Sequence, residues 1–483
     1  MSESLLAWIV STPLIGAAAV LLTGRWPNLR EAVSLITGGV LIAQVTKLIS
    51  PVLAGETPSV LLVVPVPGVP LALQAEPLGL LFALIAAVLW VATTVYAIGY
   101  MRGHGEKHQT RFFAFFAIAI SATMGVALAQ NLFTLFLFYE LLTLSTYPLV
   151  THAGSDEARR GGRVYLGILM GTSMGFLLLA VIWTWQLAGT TAFHPGGILA
   201  DKGSPVVVGV LYALFAFGIG KAALMPFHRW LPAAMVAPTP VSALLHAVAV
   251  VKAGVFAILK ITVYVFGLDL LSVTGATTPI LWVAAITIIG ASLVALHQDN
   301  LKRRLAYSTI SQLSYVVLGA VLANTAGIAG AAVHIATHAV GKITLFFCAG
   351  AILVAAHKTR VSELDGIGRQ MPITMGAFLI ASLSIAGLPP MAGLWGKWYL
   401  SIGALEAGYG VLVGVLMLST LLNIAYLLPI PLRAFFAKSA GESNQCHEAP
   451  LPCLIAIGFT TIACVMLFFF PEPVYRLATM IAG

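Results

Sequence analysis

Six lysines stand inside stretches otherwise greasy enough to cross a bilayer: Lys47, Lys221, Lys252, Lys260, Lys342 and Lys397. Lys47 and Lys260 fall near the ends of their stretches, where a long side chain snorkels to the interface. The other four lie at depth, where each charge costs about 2.5–3.5 kcal/mol even on insertion-based scales. Together they cost on the order of 10–14 kcal/mol, as much as the whole stability of many folded proteins. Among the 17 acidic residues, only Glu140 falls at mid-stretch. His334, His338 and Lys342 follow at i, i+4 and i+8 in "HIATHAVGKITLFF", on one helical stripe that drifts by about 40° per step. Histidine titrates near neutral pH, and the charge on a buried lysine depends on whether a carboxylate stands beside it. The chemistry these types offer is proton hand-off. Two histidines at i and i+4 also suit a metal, but no third ligand stands near them, so no metal is expected.

The segments around these residues carry further signals. In "FGIGKAALMPFHRWLP" (217–232) Pro226 breaks the helix just after Lys221, and Gly218 and Gly220 loosen the turn before it. In "IAGLPPMAGLWGKWYL" (385–400) a greasy helix, a break at Pro389 and Pro390, and Lys397 repeat that pattern. Broken helices in a membrane occur where protein or a hydrated cavity satisfies the freed backbone. Two of them in corresponding places point to an inverted repeat with its site near the midplane. Glu140 lies in "FTLFLFYELLTLSTYPLV", with Thr143 and Tyr147 on the same stripe. "APTPVSALLHAVAVVKAGVF" (237–256) opens a helix with Thr239 as N-cap and Pro240 at its first position. Its His246 and Lys252 are six residues apart and share no helical face. "AYSTISQLSY" (306–315) aligns Ser308, Ser311, Gln312 and Tyr315. Each motif has a plainer alternative: a structural carboxylate, a packing kink, a hydrogen-bonded histidine, or small polar residues gluing helices together.

These residues need a membrane scaffold. The chain has 483 residues, 59% apolar and only 9% charged, which excludes a soluble domain. Fourteen spans are expected, at 4–23, 31–53, 76–100, 111–129, 131–151, 162–187, 205–235, 239–264, 279–297, 303–322, 326–356, 371–402, 409–432 and 450–470. "VLLVVPVPGVPLALQ" is too rich in proline to cross and reads as an extended hairpin on the outer face. Seventeen of the 25 lysines and arginines fall in connections after odd-numbered spans, which places both termini outside by the positive-inside rule. The net charge of +8 is therefore an orientation signal and calls for no nucleic acid. The first span lacks a basic leader and a cleavage site, so it reads as a retained helix. Of the four cysteines, only Cys446 and Cys453 offer a pairing, and a loop thiol is the simpler reading. The expected organisation is an N-terminal section over 1–110, a repeat over 111–264 (spans 4–8), a second over 279–432 (spans 9–13), and a C-terminal loop and helix over 433–483.

With these motifs in place, the chain resembles the antiporter-like proton-translocating subunits shared by respiratory complex I, membrane-bound hydrogenases and Mrp-type sodium/proton antiporters. The resemblance runs from about Phe112 to Lys397. It is carried by "RFFAFFAIAISATMGVALAQNLFTLFLFYELLTLSTYPLV", "GIGKAALMPFHRWLPAAMVAPTPVSALLHAVAVVKAG", "HIATHAVGKITLFFCAG" and "GLPPMAGLWGKW". It implies an all-α polytopic protein with hydrated half-channels joined by a central charged row. Glu140 would pair with Lys221, and Lys252 with His246 would form the next site. His334, His338 and Lys342 would lie on the connecting axis, and Lys397 at the terminal site. Tyr139 departs from the tryptophan that many members carry before the glutamate, a change expected to alter packing rather than chemistry. "MVAPTPVSALLH" is worded like the large Mrp subunit and the distal complex I subunit, whereas the length resembles the smaller Mrp subunit, D. Short relatives also partner the Dab-type inorganic carbon uptake system.

The expected function is that of a proton-translocating subunit of a multisubunit complex in a prokaryotic plasma membrane. Other membrane subunits and protons are its implied partners, with Na+ or K+ as the candidate coupled ions. No flavin, quinone, haem or iron–sulfur signature is present, so neither a cofactor nor catalysis by the chain alone is expected. A Dab-type energy-coupling subunit and a stand-alone solute carrier are the alternatives. In the expected mechanism, Glu140 keeps Lys221 protonated, and loss of that carboxylate's charge releases a proton towards Lys252 and the histidines.

Overall fold

The computed structural model describes residues 2–438 and 447–481. The pairing considered for Cys446 lies outside the described residues.

Among those residues, eleven helices are long and apolar enough to cross a membrane, rather than the fourteen expected from the sequence. They are α1 (Ser4–Leu22), α2 (Pro27–Leu53), α3 (Pro77–Gly103), α4 (Gln109–Ala127), α5 (Leu132–Val150), α6 (Asp156–Ala188), α9 (Thr239–Phe266), α10 (Thr278–His297), α12 (Thr325–Ala356), α15 (Gly410–Phe436) and α16 (Leu451–Phe469). The other three expected spans take different forms. Helix α11 (Leu301–Val321) is continuous but carries three basic residues in its first turn and a row of serines. The remaining two are interrupted. Helix α7 (Pro205–Gly218) gives way to a 3-10 turn over Gly220–Ala222 before the short α8 (Trp230–Ala233). Likewise α13 (Pro372–Ala386) is separated from α14 (Gly393–Glu406) by a short connection. A last short helix, α17 (Glu472–Thr479), follows α16. The protein is thus an all-α polytopic membrane protein.

Helix starts follow local chemistry. Asn131, Ser155, Ser204, Asn300 and Asn324 each accept a backbone N–H at the start of α5, α6, α7, α11 and α12. Thr239 does not cap α9: Pro238 is the cap, without a side-chain bond, and Thr239 is already helical. Proline suits that boundary because its fixed φ leads the chain into the helix without needing a donor.

The proline-rich stretch after α2 forms the expected hairpin, β1 (Ser59–Val66) against β2 (Val69–Gln74), turning through Gly68 at φ +81°. The hairpin is tied to the α4–α5 connection by Ala72 N–H to Thr134 Oγ1 (3.1 Å) and Asn131 Nδ2 to Pro70 O (2.9 Å). The hairpin and the connection joining α6 to α7 share one face of the bundle, joined through Phe193 N–H to Gln130 O at 3.0 Å. The opposite face gathers the arginine-bearing connections, where Arg102 bridges to Glu31 (2.5 Å) and Arg433 to Asp365 (2.7 Å).

Helix α9 is wholly buried at the centre. It contains a π-turn at Leu244–Val248 and another at Thr262–Phe266. Gly254 lets it press onto the α7 break, since a Cβ there would sit 2.4 Å from the carbonyl carbon of Lys221.

Candidate functional site

The two breaks hold their lysines differently. Lys397 is on the second half-helix, after Pro389 and Pro390, as the repeated pattern implies. Its ammonium reaches back to Ala386 O (2.8 Å), the last residue of α13, and to Thr420 Oγ1 (3.1 Å). A cation at a helix C-terminus meets unpaired carbonyls and the negative end of the dipole, which offsets part of its burial cost. Lys221 instead lies inside the break, ahead of Pro226. Its Nζ donates to Tyr139 O (2.8 Å) and Thr143 Oγ1 (2.6 Å) and lies 3.1 Å from the centroid of the Tyr139 ring. Its backbone N–H donates to Tyr139 Oη at 3.1 Å, and the freed Gly220 carbonyl accepts from Trp230 Nε1 at 2.9 Å.

Glu140 is not ion-paired to Lys221 here, contrary to the sequence-based expectation. Both of its buried carboxylate oxygens lack a hydrogen-bond partner. The reason is angular. Tyr139 and Thr143 are one turn apart on the stripe of α5 that faces Lys221, and Glu140 points about 100° away from Tyr139. Tyr139 is also more than a packing substitute. Its hydroxyl accepts a backbone N–H, which an indole, having only a donor, does not do.

The centre of the molecule is a connected line. Lys252 Nζ lies 2.6 Å from His338 Nδ1. The His338 and His334 rings stack at 5.7 Å, and His334 stacks on Tyr315 at 5.3 Å and 17°. Lys397 Nζ lies 5.2 Å from the Tyr315 ring centroid. Gly396 makes this possible, because a Cβ there would come within 2.9 Å of both Cβ and Nδ1 of His334. Lys221, Lys252 and Lys342 are 0% exposed and Lys397 is 7%, so none of the four faces lipid.

Two expected members stand beside this line. Lys342 donates to Ser308 Oγ at 2.5 Å, and that serine in turn accepts from Tyr426 Oη at 2.9 Å. His246 packs its ring on Phe346 at 4.7 Å, with both ring nitrogens buried and unpartnered. On α11, Ser311 bonds Ser292 across helices at 2.9 Å, the glue role, while Ser308 and Tyr315 serve the lysines.

The snorkelling reading of Lys260 is overturned. Its side chain is 1% exposed and its Nζ is 3.1 Å from Glu76 Oε1. The end of α9 is covered by the α6–α7 connection and by the start of α3, so no interface lies within its reach. Lys260 is eight residues, two helical turns, beyond Lys252, and that spacing was the available signal. Lys302, counted with the loop charges, donates inward to Ala237 O at 2.6 Å. Outside the spans, Asp299 binds Ser362 through its N–H (3.0 Å) and Oγ (2.9 Å). These bonds, the backbone one foremost, hold its carboxyl below the ordinary range.

A membrane protein with two interrupted helices and a buried line of lysines and histidines belongs to a narrow class of ion-handling subunits. Residues 129–423 match the family "NADH:quinone oxidoreductase/Mrp antiporter, TM", and the chain belongs to that family. It is 35% identical over 389 residues to NADH-quinone oxidoreductase subunit N of Desulforudis audaxviator, covering 79% of this chain and 75% of that one. It is 31% identical to NAD(P)H-quinone oxidoreductase subunit 5 of Adiantum capillus-veneris over 67% of this chain, and spans only 45% of that longer relative. The fold matches a chain of the Mrp complex from Dietzia sp. DQ12-45-1b with a TM-score of 0.87 at 21% identity, covering 99% of this chain and 97% of that one.

Proposed function

We propose that the chain is a proton-translocating membrane subunit of a multisubunit complex, either an Mrp-type monovalent cation:proton antiporter or a related complex I-like assembly. The observation that carries this reading is the Lys252–His338 contact of 2.6 Å, continued by stacked rings towards Lys397. An amine and an imidazole at that distance share one proton. The imidazole has a second nitrogen to pass it on, and no atom need move far. Lys221, held on Tyr139 and Thr143, is the entry to this line, and Glu140 is the carboxylate whose charge sets whether Lys221 keeps its proton. Lys342 with Ser308 and Tyr426, and His246 beside Phe346, flank the axis and change its field as they titrate. The family relationship and the full-length match to an Mrp chain favour this reading over a solute carrier. The chain works with other membrane subunits in a prokaryotic plasma membrane, its arginine-rich face inward and both termini outward. The energy comes from a partner or a Na+ or K+ gradient.

The test is proton flux in vesicles from cells co-expressing the chain with its gene neighbours. Lys221→Ala and Glu140→Ala should each leave an assembled complex with at least tenfold less flux. Wild-type flux in both variants removes the assignment.

A further inference from the structure

Glu76, Lys260 and Tyr264 form a buried group that the axis above does not use. Glu76 caps α3, its two oxygens accepting Leu78 N–H (3.0 Å) and Gly79 N–H (2.9 Å). The same carboxylate accepts from the Tyr264 hydroxyl at 2.8 Å and is ion-paired with the Lys260 ammonium at 3.1 Å, a contact not aligned as a hydrogen bond. All three side chains are buried, at 7%, 1% and 6% exposure. One ring separates them from the hairpin face: Phe193, half-buried in the α6–α7 connection, lies 4.9 Å from Lys260 Nζ and 6.5 Å from the Tyr264 ring.

Three features set this group apart from a plain helix staple. A cap needs no lysine, and a buried ion pair is often no more stable than an apolar replacement. Lys260 is just over two turns from Lys252 on α9, about 12 Å along the axis and about 80° round it. And Tyr264 is part of the second π-turn of α9, a distortion often found at functional sites.

Resting on the function proposed above, we propose that Glu76, Lys260 and Tyr264 are a proton-exchange station that connects Lys252 to the hairpin face beneath Phe193. The Lys260 ammonium gives its proton to Glu76: one N–H bond breaks, one O–H bond forms, and a neutral amine and carboxylic acid result. Glu76 then passes the proton to water admitted past Phe193 and returns to a carboxylate. The neutral Lys260 amine is reprotonated from the Lys252 ammonium through intervening water, which leaves Lys252 ready to take the next proton from His338. Tyr264 holds the carboxylate by donating to its second oxygen in the ionised state.

The test separates a staple from a carrier. In Lys260→Arg the cation and its ion pair remain, but a guanidinium does not release its proton. Glu76→Gln keeps an acceptor for the α3 cap and loses the proton site. Proton flux is measured for both, with Lys252→Ala as the comparison and complex assembly and Tm as folding controls. Each station variant should assemble and lose at least tenfold in flux. If Lys260→Arg fails to assemble, Glu76→Gln alone decides. Wild-type flux in an assembled station variant, with Lys252→Ala inactive, overturns the station and leaves the axis standing. Wild-type flux in Lys252→Ala as well overturns the axis on which it rests.

Discussion

Tyr315 lies between His334 and Lys397, its ring stacked on the imidazole at 5.3 Å and its centroid 5.2 Å from the lysine ammonium. It joins the histidine pair on α12 to the lysine on α14 through its ring, with no hydrogen bond to either. The ring is therefore the working part. A desolvated cation over an aromatic face gains about 2 kcal/mol, roughly a thirtyfold effect on how firmly the ammonium is held. Tyr315→Phe should retain proton flux within about threefold, whereas Tyr315→Leu should lose tenfold or more. Equal flux in the two variants would show that the ring has no part in the path.

Gly396 is required for a different reason. A methyl group there meets His334 Cβ at 2.8 Å and Nδ1 at 2.9 Å, closer than real Cβ atoms approach. Gly396→Ala should push α14 away from His334, with an overpacking cost of about 1–3 kcal/mol seen as a lower Tm of the complex. Flux should fall more than Tm alone explains, because the same shift opens the Lys397–Tyr315–His334 spacing. Comparing flux at temperatures equally far below each Tm checks this.

Tyr139 offers a sharper comparison. Its hydroxyl accepts the Lys221 N–H, so Tyr139→Phe leaves that buried donor unpaired at about 1–3 kcal/mol. Tyr139→Trp supplies a ring for Lys221 but again no acceptor at that point. Both variants should lower Tm, and the tryptophan variant should keep more flux than the phenylalanine one, tryptophan being the better cation partner.

At the arginine-rich face, Asp299 links the α10–α11 turn to the connection after α12 through Ser362. Its carboxyl is held below the ordinary value of 3.8, chiefly by the backbone bond. A depressed folded-state value means the contribution is present above the unfolded value and lost as pH falls through the folded one. The site is open to water, so the effect is small. Protection from hydrogen exchange over 357–363, measured relative to the intrinsic rate at each pH, should fall as pH drops below about 4, and Asp299→Asn should show that lower protection already at pH 7.

Much of this architecture was legible from residue types. The proline-rich hairpin and both helix breaks follow from local chemistry, whereas the one cap read from the sequence, Thr239, is already helical behind Pro238. The stripe of His334 and His338 was legible too, because two residues one turn apart on a straight helix must share a face. Tertiary relationships were hidden. Nothing local says that Lys252 of α9 meets His338 of α12, or that Tyr139 rather than Glu140 receives Lys221. Lys260 misled because a lysine near a helix end reads as an interface residue unless one knows that another helix covers it. On α9 the two π-turns, which hold His246 and Tyr264, were also not visible in the sequence.

The central claim is that Lys252 and His338 exchange a proton across their short contact. Proton flux through the assembled complex with His338→Ala tests it most directly. The account predicts a folded, fully assembled complex whose flux falls at least tenfold; undiminished flux in that complex would contradict it.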